Sequence, residues 1–300
     1  MRLDIQKPQS RPLIGHEEGT AIEPPSREFM RSILSHRDLV TAMQDAGLGQ
    51  VNRLLMHSSL HSLGRVDGGA ETLIDALLEV LGEEGTLMVP TFNYNLEQEV
   101  FDPSTVRSQT GLITETLRRR PEAIRSLHPN YSVAAIGKDA EKLTREHWKA
   151  EPTGVGSPID RIARAGGSIL LLGVKHDTDS SMHVGEAYAE VPYRGVPFDP
   201  SWPRTAKVRT PAGEIVALDL HDEPGCSTGF GIIEMPLREK GMIRDFKIDQ
   251  AKCQLVRGQD VIETTVEILK QRMDALLCGN PRCLFCPRAR EKVRTWQESG

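Results

Sequence analysis

The sequence predicts an α/β protein with a mainly parallel central sheet flanked by helices and an added antiparallel hairpin. Three observations carry this. Short strand-like runs at 53–56, 86–89 and 168–174 each end in a polar turn, as buried parallel strands do. Segments with helical apolar spacing lie between them, closed by glycine or proline. Residues 207–209 and 215–218 flank Pro211, Ala212 and Gly213, a turn composition that reads as a β-hairpin.

The elements follow in order. Residues 1–35 are rich in Pro, Arg, Ser and Glu without sustained periodicity, and read as a tail or surface arm. Ser35 precedes a helix expected over 36–46 and stopped by Gly47. The strand at 53–56 runs into HSSLHSLGRVDGG, residues 57–69. A helix over 71–81 places Leu73, Ile74, Leu77, Leu78 and Leu81 on one face, and Gly82 and Gly85 close it. The buried strand at 86–89 leads into residues 90–94. A helix is expected at 111–119, a strand at 132–136, and helices at 139–148 and 158–165, the last with Ser157 as N-cap and Pro158 in its first turn. The strand at 168–174 is central. Helices at 232–240 and 261–277 follow the hairpin. This divides the chain into an arm (1–35), a main domain (36–277) and a cysteine-containing tail (278–300).

Composition narrows the function classes. A net charge of −5 without a block of like charges argues against nucleic-acid binding, which needs a clustered basic face. Five cysteines in 300 residues do not make a disulfide framework. The N-terminus shows no apolar signal core, and no stretch approaches the ~18 apolar residues of a membrane span. The expectation is a soluble, cytoplasmic globular enzyme.

The most informative stretch is GVKHDTDSSMHVGEAYAE, residues 173–190. It follows the central strand, where α/β proteins bind ligands. His183 and Glu186 stand at i, i+3 and share a helix face. Two readings fit the pair: a general base oriented by a carboxylate, or two polar side chains that simply face solvent. The 57–69 turn joins a strand to a helix, so its amides and hydroxyls suit an anion; a plain connection with turn glycines is the other reading. In RSLHPNYSVAAIG, residues 125–137, Arg125 suits a phosphate and His128-Pro129 a rigid turn. In EPTGVGSP, residues 151–158, the serine is explained by capping, while Gly154 and Gly156 would let backbone approach a ligand.

These motifs, together with FDP at 101–103 and GGSILLLG at 166–173, occur in a fixed order. In that order the chain resembles the aminoglycoside 3-N-acetyltransferase family, antibiotic N-acetyltransferases unrelated in fold to the GNAT superfamily. The resemblance covers about residues 36–275 and makes the main domain an acetyltransferase domain. It implies acetyl transfer from acetyl-CoA to an amine, foremost the 3-amino group of an aminoglycoside. His183 would draw the proton from the attacking amine and Glu186 would hold its ring. The acetyl-CoA site would involve His57, Ser58, Ser59, Gly64, Arg65 and Val66, with Arg125 and Ser126 nearby. A cationic acceptor would meet acids, namely Asp177, Asp179, Glu186, Glu190, Asp222 and Glu223. An oxyanion donor is also required, with Thr178, Ser180, Ser181 or a backbone amide as candidates.

Three features depart from the family as expected here: the long N-terminal arm, His176 close to the catalytic turn, and the cysteines of CGNPRCLFC. His176 would line the acceptor pocket or compete for the proton. Cys278, Cys283 and Cys286 have metal-ligand spacing, and a structural zinc would need a fourth ligand, such as Cys226, Cys253, a histidine or water. Three reduced cysteines closing a tail is the other reading. A different metabolite amine as acceptor, or a non-catalytic CoA-binding relative, are the alternative functions, and a homodimer fits either. Ser58 and Ser126 lie outside any GxSxG, so no nucleophile elbow is signalled.

Overall fold

The structure is a computed structural model and describes residues 33–94, 99–210, 212–220 and 223–299. Helix α1 (His36–Asp45) begins at a capping box: Asp38 N–H donates to Ser35 Oγ at 3.3 Å, and Ser35 N–H donates to the Asp38 carboxylate at 2.9 Å. The chain continues through β1 (Arg53–Ser58), α2 (Gly69–Leu81), β2 (Thr86–Pro90), α3 (Leu112–Arg118), β3 (Ile124–Arg125), β4 (Val133–Gly137) and α4 (Ala140–Thr144). Then come α5 (Pro158–Arg164), β5 (Ser168–Leu172), α6 (Ser181–Tyr188), β6 (Thr205–Arg209) and β7 (Ile215–Asp219). The remaining elements are α7 (Glu234–Glu239), β8 (Arg244–Ile248), β9 (Ala251–Arg257), α8 (Gly258–Gln271) and α9 (Cys286–Ser299).

The sheet order is β3-β4-β2-β1-β5-β9-β8, with β6 and β7 forming the separate antiparallel hairpin. Strands β2, β1 and β5 pair in parallel at its centre. All other pairs in the sheet are antiparallel, so β3 and β8 run with the central three while β4 and β9 run against them. The central strands are apolar on both faces and divide two cores. Leu54, Met56, Leu87, Val89, Leu170 and Leu172 pack against α1, α2 and α3. Leu55, Met88, Ile169 and Leu171 pack on the other side, against α5, α6, α8 and α9. This alternation is the period-2 side-chain pattern of strands covered on both faces.

Several expected elements differ in extent. The 139–148 helix stops at Thr144; Glu146 takes a left-handed conformation (φ 52°) and a short 3₁₀ turn, His147–Lys149, follows. That bend carries His147 into the interior, between Ser126 Oγ and Pro152 O at 2.9 Å each. The 261–277 helix ends at Gln271, because Arg272 is extended and the chain then turns Leu276, Leu277 and Cys278 into the core. Strands β8 and β9 and helix α9, which buries Cys286, Ala289 and Val293, lie outside every element the sequence predicts.

Candidate active site

The carboxyl ends of β1, β2 and β5 open into a cavity of about 530 Å³. Met56, His57 and Ser58 come from β1, Pro90 and Phe92 from the end of β2, and Val174 with residues 177–180 from the turn after β5. This is the ligand-binding edge of an open α/β sheet. The facing wall is Tyr94, Phe198, Trp202 and the loop 224–228. Tyr94 and Trp202 stack with centroids 6.2 Å apart, an aromatic surface suited to a cation or a sugar face.

His183 reaches the cavity from α6. Its Nδ1 lies 2.6 Å from Glu186 Oε2, and both side chains are buried. Glu186 Oε1 accepts a hydrogen bond from the Tyr193 hydroxyl at 2.8 Å. Burial and the neighbouring carboxylate push the Tyr193 phenol up, so it stays a donor. Phe230 lies edge-on to the imidazole, centroids 4.7 Å apart. Tyr193, Glu186 and His183 thus form a buried chain that commits Nδ1–H to the carboxylate and leaves Nε2 for a reactant. Helix α6 is seated deeply because Gly185 lies against Thr265 of α8, where a Cβ would come within 2.5 Å of the Thr265 Cβ.

A second buried network lies beside it. The Ser180 N–H donates to His57 Nε2 at 3.4 Å, and Asp179 Oδ1 is 3.9 Å from the same nitrogen. Burial holds the His57 imidazole below its usual range, against the pull of Asp179 and with the help of His176. It is therefore a neutral ring carrying its proton on Nδ1. Asp179 receives the Ser181 hydroxyl at 2.5 Å, the Ser181 N–H at 3.1 Å and His176 Nδ1 at 3.3 Å. Burial alone would raise this carboxyl; the hydrogen bond from His176 and the other partners outweigh it and hold it below the usual carboxylate range.

A family model described as aminoglycoside 3-N-acetyltransferase matches residues 55–270. Aminoglycoside N(3)-acetyltransferase IV of Salmonella sp is 32% identical over 231 residues, which is 76% of this chain and 85% of that one. The chain belongs to the aminoglycoside 3-N-acetyltransferase family.

Solved structures of this acyltransferase family carry the same fold. Aminoglycoside acetyltransferase AAC(3)-IVa, as a histidine-to-alanine mutant in complex with gentamicin, superimposes with a TM-score of 0.77 at 29% identity, covering 88% of this chain and 100% of that one. AAC-IIIb, described as binary with CoASH, gives 0.68 at 25% identity, covering 80% and 98%.

The cavity takes up part of the family-implied residue set. His57, Ser58, Asp177, Thr178, Asp179, Ser180 and His183 line it. Ser59, Gly64, Arg65 and Val66 do not; Val66 and Arg65 instead tie the 57–69 turn to Leu34. Arg125 does not line the cavity either. Its guanidinium donates to Thr91 O (2.8 Å), Pro103 O (3.1 Å), Val106 O and the hydroxyls of Thr91 and Ser132 (3.2 and 3.0 Å). Burial lowers it to about 9, and these bonds commit most of its donors to the protein. Ser126 is likewise spent, receiving Val133 N–H at 2.9 Å and meeting His147. Glu190 is exposed just past the end of α6, at φ 51°, and does not line the cavity. His176 does not line the cavity; it is fully buried behind its contact with Asp179, with Nε2 unpartnered. Ser181 and Thr178 hydroxyls are engaged, by Asp179 and by Lys175 O respectively. Asp222 lies outside the described residues.

Glu223 stands in a smaller crevice behind the cavity, with His183, Glu186 and Tyr193. Its Oε1 is buried without a partner, and burial pushes the carboxyl up to about 7. Ser58 Oγ is also buried and unpartnered, at the cavity floor. Tyr193 and Phe230 were not legible as site residues: neither belongs to a motif. The cysteines converge as well: the Sγ atoms of Cys226, Cys278, Cys283 and Cys286 all lie within 4.8 Å of one another. Cys253 is elsewhere, on β9. No helix among the described residues is long and apolar enough to cross a membrane.

Proposed function

We propose that the protein transfers an acetyl group from acetyl-CoA to the 3-amino group of aminoglycosides, with His183 as general base oriented by Glu186. The observation that carries this is the 2.6 Å contact between His183 Nδ1 and Glu186 Oε2 at the edge of the cavity. An ammonium has no lone pair, so the acceptor must lose a proton before or during attack. His183 Nε2 takes a proton from the amine as its nitrogen bonds to the thioester carbonyl carbon. The C–S bond breaks as the tetrahedral centre collapses, and the imidazolium returns the proton to the departing thiolate. Glu186 stabilises that imidazolium, and Tyr193 keeps Glu186 in place.

The orphaned Ser58 hydroxyl, beside the neutral His57, suits the acyl end of acetyl-CoA as an oxyanion or carbonyl donor. Asp177 and Glu223 supply negative charge for a polycationic acceptor, and the Tyr94–Trp202 face supplies a surface for it. The gentamicin complex of AAC(3)-IVa and the CoASH complex of AAC-IIIb support both halves of this reading. Residues 36–277 serve as the acetyltransferase domain, between the 1–35 arm and the 278–300 segment, and the enzyme works in the cytoplasm. A structural zinc ion at the cysteine group stands outside the reaction.

Thiol release from acetyl-CoA, followed across a panel of aminoglycosides, tests the proposal. Acceptor-dependent release supports it. Tight CoA binding with no release for any acceptor moves the protein to another amine or to a non-catalytic role.

A further inference from the structure

We infer that Cys226, Cys278, Cys283 and Cys286 form one tetrahedral zinc site that ties the C-terminal helix to the cavity wall and so positions His183 and Glu186. The inference rests on the zinc assignment above and is independent of the acyl-transfer chemistry. All six sulfur pairs lie within 4.8 Å, whereas two disulfides would bring sulfurs together only in pairs. A tetrahedral centre with Zn–S of ~2.3 Å holds every pair of its sulfurs at similar separation. The fourth ligand is the residue that spacing alone left open: Cys226, some fifty positions upstream, arrives on the loop that walls the cavity.

The surroundings suit thiolates. The Cys278 N–H donates to Cys286 Sγ at 3.3 Å, and the Cys286 N–H donates to Cys283 Sγ at 3.4 Å. Amide donors on ligating sulfurs are the usual support of such centres. Arg290 clasps the knuckle, donating to Leu277 O at 2.7 Å and Cys278 O at 2.8 Å. It sets a cation beside a site that would carry a net charge of about −2, four thiolates around one divalent ion. Cys226, Cys278 and Cys286 are buried and Cys283 half-buried, so four protein ligands close the site, as structural zinc requires.

From this centre two contacts run to the catalytic pair. Phe285, between two ligands in sequence, packs its ring against Gly225 and edge-on to Tyr193, centroids 6.1 Å apart. Tyr193 in turn holds Glu186. Phe230, four residues after Cys226, lies against the His183 ring. Helix α9 itself buries only Cys286, Ala289 and Val293, too little apolar surface to hold it firmly without a further tie.

The test uses the full chain, purified reduced and without chelator. Elemental analysis is expected to find about one zinc per chain. Cobalt exchanged for zinc is expected to show thiolate-to-cobalt charge transfer and the visible bands of a tetrahedral ion. Cys226→Ser should lose most of the zinc, and Cys253→Ser should keep it. Zinc removal should deprotect amides of 223–230 and 183–186 in hydrogen exchange. Wild-type protein without metal or cobalt signature, or lighter by the four hydrogens that two disulfides remove, overturns the site. Unchanged exchange at 183–186 after zinc removal overturns the positioning role. None of these readouts uses an aminoglycoside, so a wrong acceptor leaves the result intact.

Discussion

His183 and Glu186, one turn apart on α6, meet at 2.6 Å through Nδ1 and Oε2, and Tyr193 closes on the second carboxylate oxygen. The contact fixes which ring nitrogen is free. His183→Ala is expected to lower kcat by about 10²- to 10⁴-fold while acetyl-CoA binding stays near wild type. Glu186→Gln keeps an acceptor for Nδ1–H but removes the charge that, in the proposed mechanism, stabilises the imidazolium, so kcat is expected to fall while KM changes little. Steady-state kinetics with binding measured separately checks both. Near-wild-type turnover in His183→Ala removes that residue from the mechanism.

Tyr193→Phe separates support from chemistry. It leaves one oxygen of a buried carboxylate without its donor, which costs about 1.5–3 kcal/mol. Chemical denaturation should show that loss. The kcat should fall less than in His183→Ala, because the base itself is intact. A variant as stable as wild type would mean that Glu186 does not depend on Tyr193.

Much of this site was readable from the chain because its parts are local. His183 and Glu186 share one helix turn, and the strand before them announces itself by Ile169 to Leu172. The parts that were not readable are set by contacts distant in sequence. Arg125 looks like a phosphate ligand until Thr91, Pro103 and Val106 close around it. Cys226 becomes the fourth cysteine only when the loop after β7 folds back on residues 278–286. Strand β8 (RDFKI) hides because it is a largely exposed edge strand with charges at Arg244, Asp245 and Lys247. Helix α9 hides for the same reason: it buries few residues and shows a faint apolar face.

Arg125 gives a prediction that opposes its sequence-based reading. Arg125→Met strips donors from several buried oxygens, at about 1–3 kcal/mol for each group left unpaired. The melting temperature should drop clearly, while the acetyl-CoA KM of the folded fraction stays unchanged. A large rise in that KM with unchanged stability would return Arg125 to the phosphate.

Glu223 sets a pH dependence. Burial, partly offset by Arg204, raises its carboxyl to about 7. The fold therefore prefers the protonated form, and its contribution to stability is complete below the unfolded value of about 4.3 and fades as pH rises through about 7. Binding of a polycationic acceptor has the opposite sign, since only the carboxylate attracts an ammonium. The acceptor KM should fall as pH rises through about 7, and Glu223→Gln should flatten that part of the profile. Comparing the two profiles with one aminoglycoside cancels the titration of the acceptor's own amines. Parallel profiles would show that Glu223 does not meet the acceptor.

Gly185 links packing to chemistry on the same helix. A methyl group there would stand 2.5 Å from the Thr265 Cβ and 3.2 Å from Ile262 O, so α6 must move off α8 to admit it. Overpacking of this kind costs about 1–3 kcal/mol. The shift is carried directly to His183 and Glu186, which lie on either side of Gly185 and are already locked to Phe230 and Tyr193. Gly185→Ala should therefore lower kcat as well as stability. A displacement of even about 1 Å in a positioned base costs up to ~10²-fold in rate. Ala187→Gly provides the control: it also weakens α6, by about 1 kcal/mol of helix propensity, without pushing on α8. If both variants lose stability and only Gly185→Ala loses turnover, the seat of α6 on α8 sets the position of the base. Equal loss of turnover in the two would assign the effect to general weakening of the helix.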